Sequence, residues 1–225
     1  MLLENLSNKQ IKEISKTIAP KLVKHPVFMF YCKKAENRQG FIEDFFYYFL
    51  NRWNKKEIIL ADEEYNAIIS ILDIENYHGK DKGRGAATLK RYKNPYANIQ
   101  YHQGNVAYLT NIVAPANINA KIMTVYSTLK NKEITEKLID EAIKLAEEND
   151  FMLVYETFSK KSIAIMEEKG FLTAYEKLFQ GTQYHETMMT YYKHDATEPA
   201  KLIEEFKPII VKDEPQEEID YEEEE

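Results

Sequence analysis

Apolar positions recur along the chain with two periods, and between them they mark out most of its elements. Over residues 6–19, Leu6, Ile11, Ile14 and Ile18 fall at helical spacing, with Ser7 as a cap oxygen and Pro20 as the stop. Residues 26–31 (PVFMFY) are a short apolar run whose length suits a strand. Residues 39–52 carry apolar side chains on nearly every face, with Phe41, Phe45, Tyr48 and Phe49 in one stripe. That pattern predicts a helix buried on most sides or lining a pocket. Segments 57–61 and 66–72 flank the polar turn Asp62-Glu63-Glu64 and read as a hairpin. Segments 106–114 and 120–126, around Pro115-Ala116-Asn117, read as a second hairpin. The polar connection between the two, residues 73–105, is too long for a turn. Within it, residues 86–92 fit a short helix before Pro95.

The second half is plainer. Residues 131–148 hold Ile134, Leu138, Ile139, Ala142, Ile143, Leu145 and Ala146 in a helical stripe, with Glu133–Lys137 and Asp140–Lys144 four apart. The unbroken apolar run 151–155 (FMLVY) is that of a strand buried on both faces. A helix over 159–169 follows, capped by Ser159 and ended by Gly170. Segments 171–179 and 184–192 form a last hairpin across Gln180-Gly181-Thr182, and residues 195–206 fit a terminal helix before Pro208. This order predicts an α+β fold: a mixed, mostly antiparallel sheet with helices on both faces. One crossover, from 120–126 through the long helix to 151–155, joins a central parallel pair.

Charge changes the picture at one end only. The chain carries −7 overall, but residues 213–225 hold nine acidic side chains and no basic one; without their −9, residues 1–212 stand near +2. The acidic segment reads as a solvated, disordered tail. The sequence therefore divides into an N-terminal helix (1–24) belonging to a domain at 25–194, a linker or helix at 195–212, and the tail at 213–225. No apolar run reaches the roughly 18–20 residues that span a bilayer, and no basic segment precedes an apolar core at the start. No membrane association is expected, and the cytoplasm is the expected location. Cys32 is the sole cysteine and reads as a core thiol. The five histidines have no ligand spacing, so no metal is expected. Gly79-Lys-Asp-Lys-Gly-Arg-Gly85 lacks the Gly-Lys-Ser/Thr ending of a phosphate loop. It and Lys90, Arg91 and Lys93 read as a solvated basic loop, with no nucleic-acid partner expected. An oligomer is left open.

The strand ending in Glu156-Thr157, the helix after it and the closing Lys169-Gly170-Phe171 resemble the GNAT (GCN5-related N-acetyltransferase) superfamily. The resemblance covers residues 25–192 and is clearest from Val106 onward. It implies acetyl-CoA or another acyl-CoA as cofactor, with a small-molecule or peptide amine as substrate. It assigns cofactor binding to Val125, Tyr126, Lys130, Asn131, Lys132, Ile134, Thr135 and Ser162. Catalysis falls to Glu156 and, in place of the family's tyrosine, to Tyr155 or Tyr126, between which the sequence does not choose; substrate contact falls to Phe45, Tyr48 and His102. Three departures stand out. No glycine remains in 129–135, Glu133 puts a negative charge where the family binds pyrophosphate, and Met166 replaces the tyrosine that protonates the departing thiolate. Two classes follow: an N-acyltransferase with a divergent cofactor loop, or a non-catalytic binding module of the same fold.

Overall fold

The computed structural model describes residues 1–77, 84–128, 132–178 and 185–193. The predicted terminal helix, the acidic tail, the turn at 180–182, Gly79–Lys82 of the basic loop and the Lys130–Asn131 start of the cofactor loop lie outside the described residues. The first helix, α1 (Asn8–Ile18), opens on a capping box: Ser7 Oγ accepts from Gln10 N at 3.3 Å, and Gln10 Oε1 accepts from Ser7 N at 2.9 Å. A 3₁₀ turn (Ala19–Leu22) leads to α2 (Pro26–Tyr31) and the long α3 (Ala35–Trp53). Strands β1 (Ile58–Ala61) and β2 (Ala67–Asp73) form the predicted hairpin, its turn fastened by Asp62 Oδ1, which accepts from Asn66 N and Ala67 N. Then come α4 (Ile74–Tyr77), α5 (Arg84–Lys90), α6 (Asn94–Val113), β3 (Ala120–Ser127), α7 (Lys132–Glu148), β4 (Met152–Thr157), α8 (Lys160–Glu168), β5 (Leu172–Leu178) and β6 (His185–Tyr191).

The strands make one mixed sheet in the order β1-β2-β3-β4-β6-β5, with β3 and β4 parallel and the other described pairs antiparallel. The α+β class and the central parallel pair stand as predicted. Alternation along β4 divides the core in two. Met152 and Val154 face the layer of α1, α2, α3 and α6, while Leu153 and Tyr155 face α7 and α8. Each layer buries its own apolar cluster, so helices cover both faces.

Two predicted strands are helices. In 26–31 the proline takes the first helical turn, Phe28 and Tyr31 are buried one turn apart, and Met29 is 44% exposed. The run is amphipathic at period 3.6, which six residues were too few to reveal. Segment 106–114 is the C-terminal half of α6, and β3 pairs instead with β2 (Ile68↔Tyr126), so the second hairpin does not exist. Pro95 sits in the first turn of this helix, at N2, rather than stopping the one before it. Between residues 94 and 113 no side chain other than His102 is ionisable except tyrosine. The helix is buried along most of its circumference, and the charged face that betrays a helix is missing.

Candidate functional site

Strands β3 and β4 pair from Ala120↔Met152 to Met123↔Tyr155 and then part, although β3 runs on to Ser127 and β4 to Thr157. Each is held from outside while it diverges, β3 by β2 up to Ser127↔Ala67 and β4 by β6 up to Thr157↔Thr187. The inner edges face each other with no strand between them. A cavity of about 320 Å³ occupies the opening, and its wall comes from both faces of the sheet. Tyr31, Tyr77 and His102 line it from the α2–α6 layer; Thr135, Ser162 and Met166 line it from α7 and α8. The cavity thus passes through the sheet.

Short α2 is fixed from two directions. Arg38 on α3 donates to the carbonyls of Val23 (2.9 Å), Cys32 (2.8 Å) and Lys33 (3.0 Å), and Asn98 on α6 donates to that of Tyr31 at 3.2 Å. That framing sets Tyr31 against α6. His102 Nδ1 lies 2.5 Å from the Tyr31 hydroxyl, and Nε2 lies 3.1 Å from Glu156 Oε2 on β4. His102 is 3% exposed and the Glu156 side chain 7%. Burial works to lower the His102 pKa, but the charge and hydrogen bond of Glu156, joined by the charge of Glu186, outweigh it and the net shift is upward. Burial, then Tyr77, Tyr126 and Glu156, push the Tyr31 phenol well above its usual value, so it keeps its proton. With His102 neutral, Tyr31 donates to Nδ1 and Nε2–H donates to Glu156, a three-member chain ending in the cavity wall. Behind it Glu186 is fully buried, with Asn105 Nδ2 2.5 Å from Oε1 and Lys177 Nζ 3.4 Å from Oε2. Burial leads the rise of its pKa, the Glu156 charge adds to it, and Lys177 opposes it.

The other expected residues divide. Val125 and Tyr126 line the opening where the strands part, and Thr135 and Ser162 lie in the wall. Lys132 also lines it, but pairs with Glu136 at 3.3 Å and Glu168 at 3.7 Å. Ile134 packs half-buried against the α7-side core and is not in the wall. Tyr155 is in the wall; burial leads the rise of its pKa, opposed by the Thr157 and Ser162 side chains that hydrogen-bond it. Phe45 and Tyr48 sit in the aromatic core, Phe45 fully buried and 5.8 Å from the Tyr126 ring, and neither lines the cavity. Sequence reasoning passed over His25, Tyr31 and Tyr77. Once 26–31 is a helix, His25 at its N-cap and Tyr31 at its end come to one side. Burial lowers the His25 pKa to about 4 against a backbone hydrogen bond with Val125. Among the described residues no group of three potential metal ligands exists, and no helix is long and apolar enough to cross a membrane.

Comparison of the sequence with protein-family models and with curated proteins returned no match. Among solved structures, one acetyltransferase aligns over 85% of this chain and 98% of its own, with 9% identity and a TM-score of 0.45. A second, yncA from Salmonella typhimurium, described as a putative acetyltransferase with its cofactor acetyl-CoA, aligns over 86% of this chain and 94% of its own. Its identity is 14% and its TM-score 0.44.

Proposed function

We propose that this protein is an acyl-CoA-dependent N-acyltransferase acting on a small amine. The observation that carries the reading is the cavity through the sheet where the parallel pair parts. A His–Glu couple stands on one face of it, and the first turns of α7 and α8 stand on the other.

The residues present fit an acyl-CoA. The inner edge of β3 beyond Met123 has no strand partner, and apart from the Val125 backbone, which His25 engages, it can hydrogen-bond an extended ligand arm. Val125, Tyr126, Thr135 and Ser162 would hold that arm, with Lys132 and Lys161 beside the phosphates. A cavity of about 320 Å³ takes the acyl end and leaves the phosphates outside. Bound there, the cofactor supplies an activated acyl thioester. Glu156 then receives the proton of the amine nitrogen, and His102, donating from Nε2, fixes the carboxylate and spreads its charge. Tyr155 holds a proton at its hydroxyl on the α8 side of the wall. It stands in for Met166, whose thioether has none to give. The buried walls keep water from competing with the amine.

A non-catalytic binding module is favoured by one observation, the engagement of Lys132 with Glu136 and Glu168. Titration calorimetry with acetyl-CoA decides between the two. The transferase reading expects saturable heat, weakened by Lys132→Glu, and turnover that falls about 10²–10⁴-fold in Glu156→Gln. Absence of heat at millimolar acetyl-CoA leaves only the binding module.

A further inference from the structure

The half of the cavity on the α7–α8 face differs in chemistry from the half that holds Glu156 and His102. Its floor is Met123 and Tyr155, the last pair before β3 and β4 part, and both turn to this face. Ile139 of α7 and Met166 of α8 join them in one apolar cluster, with Ile165 half-buried beside it. Met123, Ile139 and Met166 are each 1% exposed and Tyr155 5%, yet all four belong to the cavity wall. Hydrogen bonds to the Thr157 and Ser162 side chains occupy the Tyr155 hydroxyl. The charged wall residues that α7 and α8 contribute are Lys132, Lys161 and Glu168, and all three are exposed. Charge therefore stands at the mouth of this half, and its depth is apolar. Two of the four deep residues are methionines, whose unbranched thioethers repack around guests of different length. A charged guest would lose its hydration there without a partner.

We propose that this half seats an apolar acyl chain longer than acetyl, of about four to six carbons, with Ile139 and Met166 setting its length. The cavity of about 320 Å³ has room for on the order of ten waters, several times what an acetyl group displaces. Six carbons, at roughly a water's 30 Å³ each, take a little over half of it and leave the rest to the thioester and the acceptor. The chain turns away from Glu156, towards the face where no charge awaits it. The inference rests on the acyltransferase reading for the thioester that brings the chain in, and it is tested by binding alone.

The full chain is titrated calorimetrically with acetyl-, butanoyl-, hexanoyl- and succinyl-CoA, and with the acetyl and hexanoyl thioesters of N-acetylcysteamine, which carry no phosphate. A buried methylene is worth about fourfold in affinity, so hexanoyl is expected to bind at least about tenfold more tightly than acetyl in both series. Succinyl-CoA has the carbon count of butanoyl-CoA but ends in a carboxylate, and is expected to bind at least about tenfold more weakly than it. Met166→Phe and, separately, Ile139→Phe, each checked for an unchanged melting temperature, are expected to shrink the hexanoyl-to-acetyl ratio at least about fivefold. Hexanoyl esters no tighter than acetyl overturn the proposal without any variant, and so does succinyl-CoA that matches butanoyl-CoA. A ratio unmoved in both folded variants overturns it too. CoA esters that bind alike whatever their chain sink this inference and spare the transferase reading; cysteamine thioesters that bind by chain length, with no CoA ester bound, do the reverse.

Discussion

At the scale of single residues, His25 carries the clearest energetic signature. Its folded pKa of about 4 lies below the unfolded value of 6.5, so the unfolded chain binds the proton first as pH falls. Stability at this position is therefore complete above pH 6.5 and is lost progressively down to about pH 4. Between pH 7 and 4.5 the loss is about 2–3 kcal/mol. Chemical denaturation at the two pH values should show His25→Asn losing less stability than the parent by about that amount; equal losses would refute the assignment. His102 has the opposite sign. Its raised pKa contributes stability below pH 6.5 that disappears as pH rises through the folded value. Neither behaviour was legible in the sequence. Glu156 was reached there through the Glu-Thr pair that ends β4. The partner that completes it, His102, is 54 residues away, and only the corrected helix α6 brings it to hand.

Among the helices, α1 and α8, with both a capping signal and a periodic stripe, were read correctly to their ends, and α2 and α6, which have no side-chain cap, were read as strands or missed. The end of α8 is an example of the first kind. Phe171 N donates to Met166 O at 2.9 Å and Gly170 N to Glu167 O at 3.0 Å, a Schellman stop with Gly170 at φ 87°. A Cβ at Gly170 would meet Tyr191 only at an ordinary 3.5 Å, so backbone conformation rather than space demands glycine. Gly170→Ala should cost about 1 kcal/mol in denaturation, and Gly170→Asn clearly less, because asparagine tolerates the left-handed region. Equal costs for the two would point to packing instead. The second kind is α6. Its buried Ile99, His102, Val106, Leu109 and Val113 repeat every three to four residues. With no charged face opposite, the repeat looks like an apolar run when read from its middle.

For the whole molecule, the acidic segment from Asp213 onward remains a sequence expectation. Its removal should leave the melting temperature within about 5 °C, and a larger fall would mean that it docks on the domain. The sheet itself has a consequence in time. Its centre is β3, and everything before Ala120 is synthesised while that centre is still missing. By then α2 and α3 have presented Phe28, Phe41, Phe45, Phe46 and Phe49, yet the Tyr126 ring that stacks on Phe28 at 5.6 Å has not left the ribosome. Strand β2, already paired with β1, likewise waits for β3 across three helices. Until Tyr126 emerges, a nascent chain of this design lacks that ring's cover over Phe28, Phe45 and Phe46, while translation proceeds at about 5–20 residues per second. A holding chaperone has the most to offer it during those seconds.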